Sequence, residues 1–452
     1  VVSTARNAAP TRTDSIGEYR NDDDGPAYRL ADARGMTLQT YAIWAICFVA
    51  TFGVITRPFK LPEAVWAVAG AAVLLVFGLM SPGAAWAAVL KGGDVYLFLI
   101  GMMLLSEVAR EQGLFDWVAE HAVRLAKGST SRLFALVFGV GIVVTTFLSN
   151  DATAVVLTPA VYAAAKKAKA DPLPMLFACA LIANAASFVL PISNPANLVL
   201  YGGKMPSLGA WMASFALPSL LSIGVTFLVL RWVERERLTG QCETVVETGT
   251  LSRGGKIALG GIVATAVLLI AASAQGYELG LPTCLAGIAT MAAICIGERK
   301  SPFTTLGSVS WAVLPLVAGL FVLVEALAST GVITMLARWL AAGAANSPST
   351  TAGVAGTILA FGSNLMNNLP AGLIASTTLQ QAHVPQIVTD GLLIGVDLGP
   401  NLSITGSLAT ILWLTAIRRE GEDVGFWRFL KVGAVVMPPA LLAALGARML
   451  IG

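Results

Sequence analysis

After residue 36 the chain alternates long apolar runs with short polar connections over nearly its whole length. A helix needs about 20 apolar residues to cross the hydrocarbon of a bilayer, and the pattern predicts ten spans. Five lie near 39–56, 62–80, 94–110, 173–201 and 208–231, and five near 257–274, 281–297, 312–329, 387–416 and 433–450. Between the third and fourth span of each half sits a further apolar pair, near 131–168 and 349–381, broken in its middle by a polar cluster. Re-entrant hairpins and double crossings both return the chain to its starting side. The hairpin reading is preferred because Asn150-Asp151 and Asn367-Asn368 fall at the turns of the pairs.

The two halves repeat. A shift of 218 residues carries Val95, Gly101, Leu105, Glu107 and Gly113 onto Val313, Gly319, Leu323, Glu325 and Gly331, and Asn150 onto Asn368. A shift of 213 places Asn184 on Asp397 and Ala196 on Ala409. With five spans per half, the second repeat runs upside down relative to the first, a layout many secondary transporters share. The expected fold is thus an all-α polytopic membrane protein of two inverted repeats. Each repeat has five transmembrane helices plus a re-entrant helical hairpin, with discontinuous helices. The expected divisions are a polar tail at 1–36, a first repeat at 37–231, a linker at 232–256 and a second repeat at 257–452.

Composition supports the membrane reading: 56% of residues are hydrophobic and 12% charged, half the charged share of a soluble domain. Residues 1–36, rich in Asp, Arg, Gly, Pro and Ala with no apolar run, read as a disordered tail and not as a signal peptide. Lys and Arg segregate to alternate sides, twenty against four outside the tail. The rich side holds Arg110, Arg132, Lys166, Lys167, Arg235, Arg237 and Arg419; the poor side holds Lys91, Lys204, Arg338 and Arg448. The positive-inside rule then makes the linker cytoplasmic and both termini external in a cell inner membrane. No basic patch with interleaved aromatics supports nucleic-acid binding. The five cysteines are scattered, without metal-ligand or disulfide spacing, and read as small apolar packing residues. His121, on an amphipathic loop segment, and His383 read as surface residues.

Four polar clusters interrupt the apolar runs. Ser149-Asn150-Asp151 and Asn367-Asn368 form the hairpin tips; Ser193-Asn194-Pro195-Ala196-Asn197 and Thr405-Gly406-Ser407-Leu408-Ala409-Thr410 unwind the fourth and ninth spans. Pro191 and Pro195 remove helix donors from one break; Pro400, Asn401 and Gly406 loosen the other. Unwound backbone at membrane depth must be buried in protein or line a wet cavity. The freed amides and short polar side chains converge into a site for a small hydrogen-bonding solute or ion. Candidate contacts are Ser149, Asn150, Ser193, Asn194, Asn197, Asn367, Asn368, Gly406, Ser407 and Thr410. Asp151 and Asp397 are intramembrane acids, functional by default, and suited to carrying a proton. Capping a helix N-terminus is the competing role for Asp151, and holding a backbone donor is the competing role for Asp397. Glu107 and Glu325 read as structural. Stretches 133–165, 172–203 and 339–417 hold no Lys or Arg, whereas a carboxylate cargo commonly recruits a cation.

The segments LSNDATAVVLTP at 148–159, SNPANLV at 193–199 and GVDLGPNLSITGSLATILW at 395–413 resemble those of the arsenical pump membrane proteins, within the ion transporter superfamily. That resemblance covers about 40–450 and implies efflux of trivalent arsenite and antimonite driven by inward proton movement, sometimes with a cytoplasmic ATPase partner. No GxxxxGK[ST] loop occurs in this chain, so ATP use would need the partner, and no cofactor is expected. The family pattern favours Asp where this chain has Asn184, so Asn184 is not counted as a proton carrier. The alternative is a sodium/proton antiporter of the same fold. An intramembrane enzyme lacks any Ser-His, zinc-ligand or paired-acid motif at depth.

Overall fold

A computed structural model describes residues 37–202, 205–243 and 249–452. The predicted tail, Lys204 and residues 244–248 of the linker lie outside the described residues. The chain divides into two units, Val1–Ala42 and Ile43–Gly452. Only the opening of the first helix is described in the first unit, and the site belongs to the second.

Among the described residues all regular elements are helical. The first half contains α1 (Leu38–Thr56), α2 (Glu63–Val76), α3 (Pro82–Lys91), α4 (Gly93–Glu111) and α5 (Leu114–Ala126). It continues with α6 (Thr130–Phe147), α7 (Asn150–Ala152), a π-turn at Thr153–Leu157, α8 (Thr158–Lys167), α9 (Pro172–Ala185), α10 (Pro195–Tyr201) and α11 (Leu208–Val233). The second half contains α12 (Arg253–Ala274), α13 (Gly280–Glu298), α14 (Pro302–Ser308), α15 (Val313–Ala328) and α16 (Val332–Asn346). It ends with α17 (Pro348–Met366), α18 (Asn368–Ala382), α19 (Gln386–Leu398), α20 (Leu408–Arg419) and α21 (Phe426–Ile451). The order of elements is written twice, and so are their caps. Ser81 and Ser301 cap α3 and α14 with Pro at the first helical position, and Ser129 and Ser347 cap α6 and α17. These hydroxyls accept from backbone N–H groups that the helix itself leaves unpaired.

Among the described residues, six helices are long and apolar enough to cross a membrane, or up to eight if the bent pairs α3–α4 (49°) and α14–α15 (45°) each make one span. Their outward faces are apolar: Leu220, Ile296 and Leu442 are exposed on α11, α13 and α21. A soluble helix would present polar residues there. The bent pairs and the 13-residue helix α5 refine the expected spans. The segment around His121 is helix rather than loop, and its ring lies 4.0 Å from that of Trp117, tilted by 39°, and is half-buried rather than on the surface.

Close backbone approach explains the repeated glycines. At Gly101 on α4 an added Cβ would sit 2.2 Å from the Thr283 carbonyl oxygen of α13, and at Gly319 on α15 it would sit 2.8 Å from the Ala67 backbone of α2. Each half therefore packs its fourth helix against the second helix of the other. Gly113 and Gly331 start α5 and α16 at φ 69° and 84°, where only glycine sits without strain.

On the linker side, Thr130 Oγ1 donates to Gly240 O at 2.7 Å, and Glu243 N donates to Ala168 O at 2.8 Å. Arg237 pairs with Asp171 and Lys169 with Glu243. The linker thus lies against the base of the first hairpin.

Candidate functional site

Both tips are built by capping. Leu148 leaves α6, Ser149 turns fully extended, and its Oγ accepts from Ala152 N at 3.2 Å. The capping role weighed for Asp151 therefore belongs to Ser149. Asp151 sits in the first turn, and among the described residues its carboxylate has no hydrogen-bonding partner. Asn150 turns its Oδ1 onto Asp151 N at 2.9 Å. Pro159 has no N–H for the Val155 carbonyl, and the turn before it widens into the π-turn. Such π-bulges recur at functional sites. In the other tip Asn367 adopts φ 75° and caps Leu369 N at 3.3 Å, and Asn368 N donates to Gly406 O at 2.8 Å. That last bond docks the second hairpin tip onto the break between α19 and α20.

The break between α9 and α10 runs from Ala186 to Asn194, and its carbonyls are gathered by side chains. Asn197 Nδ2 donates to Ser187 O, Pro191 O and Leu190 O at 2.9, 3.2 and 3.4 Å. Ser193 Oγ donates to Thr146 O at 3.1 Å and accepts from Leu190 N. Trp211 Nε1 and Ser219 Oγ, both on α11, donate to Phe188 O at 3.1 and 3.2 Å. The break between α19 and α20 is held by residues the sequence reading did not single out. Asn364 of α17 donates to Gly399 O at 3.0 Å and accepts from Ser403 Oγ at 2.8 Å. An unpaired buried polar group costs about 1–3 kcal/mol, so this many bonds make each broken span a defined shape.

The two breaks then reach across to each other. Asn194, which caps α10 through Ala196 N at 3.0 Å, donates through Nδ2 to Asp397 Oδ1 at 2.8 Å. In the opposite direction Asn184, on the last turn of α9, donates to Thr410 Oγ1 at 3.3 Å and to Asn401 Oδ1 at 3.0 Å. Thr410 in turn lies 2.8 Å from Ser407 Oγ, the cap of α20. Asn184 and Asp397 occupy equivalent positions under the 213-residue shift, and each reaches the start of the other half's restarted helix. Asn184, discounted as a proton carrier, is thus a structural counterpart of Asp397.

Five buried oxygens around these elements have no partner among the described residues: Thr146 Oγ1, Asn184 Oδ1, Asn197 Oδ1, Asn368 Oδ1 and Asp397 Oδ2. Four of them are amide or carboxylate oxygens and accept; the Thr146 hydroxyl can also donate. Arg448 is the buried cation among the described residues, and it is taken: its Nε donates to Asp390 Oδ2 at 2.7 Å. Tyr201 OH and Gln386 Nε2 complete the set, donating to Asp390 Oδ1 at 3.0 and 2.8 Å. Sequence reading missed Asp390. The signal was its spacing of seven residues from Asp397, which puts both on one face of α19. Tyr201, the last residue of α10, and its cap Asn194 are likewise seven apart, so two rungs join this pair of half-helices.

Of the other residues singled out, Glu107 pairs with Arg110 at 2.5 Å and Glu325 with Lys91 at 2.6 Å. Cys179 is fully buried on α9, and all five cysteines are free.

A chain of broken apolar helices around a polar, acceptor-rich centre is matched by known transporters. Over 403 residues it is 26% identical to the arsenical pump membrane protein of Escherichia coli (strain K12), a match covering 84% of this chain and 91% of that protein. The arsenical pump membrane protein of Yersinia enterocolitica gives 26% over 401 residues, covering 83% and 91%. An uncharacterised transporter of Mycobacterium tuberculosis (strain ATCC 25618 / H37Rv) gives 26% over 364 residues, covering 78% and 84%. The YdaH transporter of Alcanivorax borkumensis shares the fold, with a TM-score of 0.55 at 15% identity over 91% of this chain and 98% of that one. Residues 48–395 match the family described as citrate transporters (CitMHS). With that match over most of its length, the chain belongs to the CitMHS citrate-transporter family and is a multi-pass membrane transporter.

Proposed function

We propose that this transporter exports trivalent arsenite, and antimonite, as the neutral hydroxides As(OH)3 and Sb(OH)3, in exchange for protons moving inward. The observation that carries this reading is the sign of the unmet hydrogen bonding. Asn184, Asn197, Asn368 and Asp397 each offer a buried oxygen that lacks a donor. A trihydroxide brings three O–H donors. A tricarboxylate such as citrate brings carboxylate acceptors and a single hydroxyl donor, and the buried cation among the described residues, Arg448, is bound to Asp390. The likeness to arsenical pump membrane proteins supports the same cargo.

In this reading the repeats 37–231 and 257–452 are inverted, the linker 232–256 is cytoplasmic and both termini are external. Cargo lies between the tips (Ser149, Asn150, Asn367, Asn368) and the breaks (Ser193, Asn194, Asn197, Gly406, Ser407, Thr410). Asn197 and Ser193 already spend their donors on the backbone, so they contribute by shaping the break and, for Asn197, through Oδ1. Asp397 is the leading proton carrier, with Oδ1 held by Asn194 and Oδ2 open to a proton or a cargo hydroxyl; Asp151 is the second. A cytoplasmic ATPase partner is compatible with this arrangement and is not required by it.

The same unpaired oxygens would ligate a cation, which supports a sodium/proton antiporter as the second reading. Uptake into everted membrane vesicles with an acid interior separates the two. Arsenite accumulation that collapses with the pH gradient and ignores Na+ supports export of the hydroxide. Proton release driven by Na+ with no arsenite uptake supports the antiporter, and citrate accumulation contradicts both.

A further inference from the structure

Two cavities of nearly equal size flank the site, about 600 Å³ and about 590 Å³. The shifts that relate the halves of the chain also relate these cavities. Glu325 lines the first and Glu107 the second; Thr377 corresponds to Pro159, Val199 to Leu412 and Gly202 to Thr415. Of these pairs only the glutamates are identical. The wall of each cavity joins the second arm of one half's hairpin to the restarted helix of the other half: α18 with α10 in one, and the π-turn and α8 with α20 in the other. Those helices begin at the tip and break residues of the site.

Among the described residues both linings hold more acids than bases. The first has Asp94, Glu278 and Glu325 against Lys91; the second has Glu107, Asp116 and Glu420 against Arg110 and Arg419. The ion pairs Lys91–Glu325 and Arg110–Glu107 are partly exposed, so they add little to stability. Their position matters for another reason. A concave wall with an excess of one sign biases which solutes enter the opening.

We propose that these cavities are the two mouths of one transport route, the Glu107 mouth cytoplasmic and the Glu325 mouth external. Glu107 and Glu325 are then specificity determinants that turn anions away and admit neutral or cationic solutes. This rests on the reading of the centre as a cargo site between tips and breaks, but it concerns entry, and its test needs no cargo.

Thr377 and Thr415 serve as reporters, each bonded only to the carbonyl four residues back in its own helix, so Cys fits in their place. Thr377→Cys and Thr415→Cys are made in a chain whose own five cysteines are replaced by Ala or Ser. Each is reacted with a cationic and an anionic methanethiosulfonate of similar size, in right-side-out and inside-out vesicles. The expected result is reaction at 377 from outside only and at 415 from inside only. The cation should lead by about tenfold beyond its advantage with a free thiol. Glu325→Gln should shrink that ratio at 377 alone, and Glu107→Gln at 415 alone. Reaction of both thiols from the same side, failure of either to react with a small neutral maleimide in the folded protein, or ratios indifferent to both glutamates overturns the proposal. If labelling behaves as expected while arsenite transport is absent, the cargo assignment fails and the mouths stand.

Discussion

Asn194, the cap of α10, donates to Asp397 on α19 across 2.8 Å, joining the restarted half of one broken span to the first half of the other. The same residue caps its own helix through Ala196 N. One side chain therefore holds both a local structure and a contact between the two halves of the chain.

The two jobs of Asn194 can be separated. Asn194→Ala removes both and should cost about 1–3 kcal/mol of stability, together with transport. Asn194→Ser restores a cap, since Ser caps as well as Asn, but its shorter side chain falls short of Asp397. Thermal unfolding in detergent should show Ser close to the parent chain, while vesicle uptake stays as low as for Ala. Equal transport by the Ser variant would show that the cross-contact is dispensable.

Among the described residues, Arg448 and Asp390 make the one buried ion pair, with side chains 7% and 0% exposed. Arg448→Met leaves Asp390 as an uncompensated buried charge beside Tyr201, which costs about 3–5 kcal/mol. Asp390→Asn in the same chain removes that charge and should recover most of the folded yield, measured by size-exclusion chromatography. A double variant no better than Arg448→Met would mean that Arg448 acts through packing instead.

How much of this was legible in the sequence differs by element. The tips and breaks stood out because Asn, Ser and Pro interrupt long apolar runs, and the helices stop at those clusters: α6 at Phe147, α17 at Met366, α19 at Leu398. Which residue caps the first tip was not legible, because Ser149, Asn150 and Asp151 are all capping types. Only the extended backbone at Ser149, φ −178°, selects it. Asp390 could be placed on the face of Asp397 by its spacing, but its pairing could not be read. Its partners Tyr201 and Arg448 lie 189 and 58 residues away, and no local pattern announces a pair that only tertiary packing brings together. The amphipathic helix α5 was underweighted because it is too short and too charged to span.

The thiols give a third test. Cys179 is fully buried on α9 and is the thiol nearest Asn184 in sequence, five residues before it. With amide and hydroxyl groups holding the cargo, replacing all five cysteines by Ala or Ser should leave arsenite uptake within about twofold of the parent, allowing for a cavity cost of a few kcal/mol at most. Loss of uptake in a well-folded Cys179→Ala variant would require a thiolate ligand.

The coupling carboxylate is the central claim, and purified protein in proteoliposomes tests it directly. Asp397→Asn keeps a side chain of the same shape within reach of Asn194 while removing the group that titrates. Exchange of arsenite across the membrane without a pH gradient should persist, and accumulation driven by an imposed pH gradient should vanish. Asp151→Asn, measured alongside, should reduce accumulation without abolishing it. If Asp397→Asn accumulates arsenite against its gradient as the parent chain does, Asp397 does not carry the coupling proton, and the central assignment is wrong.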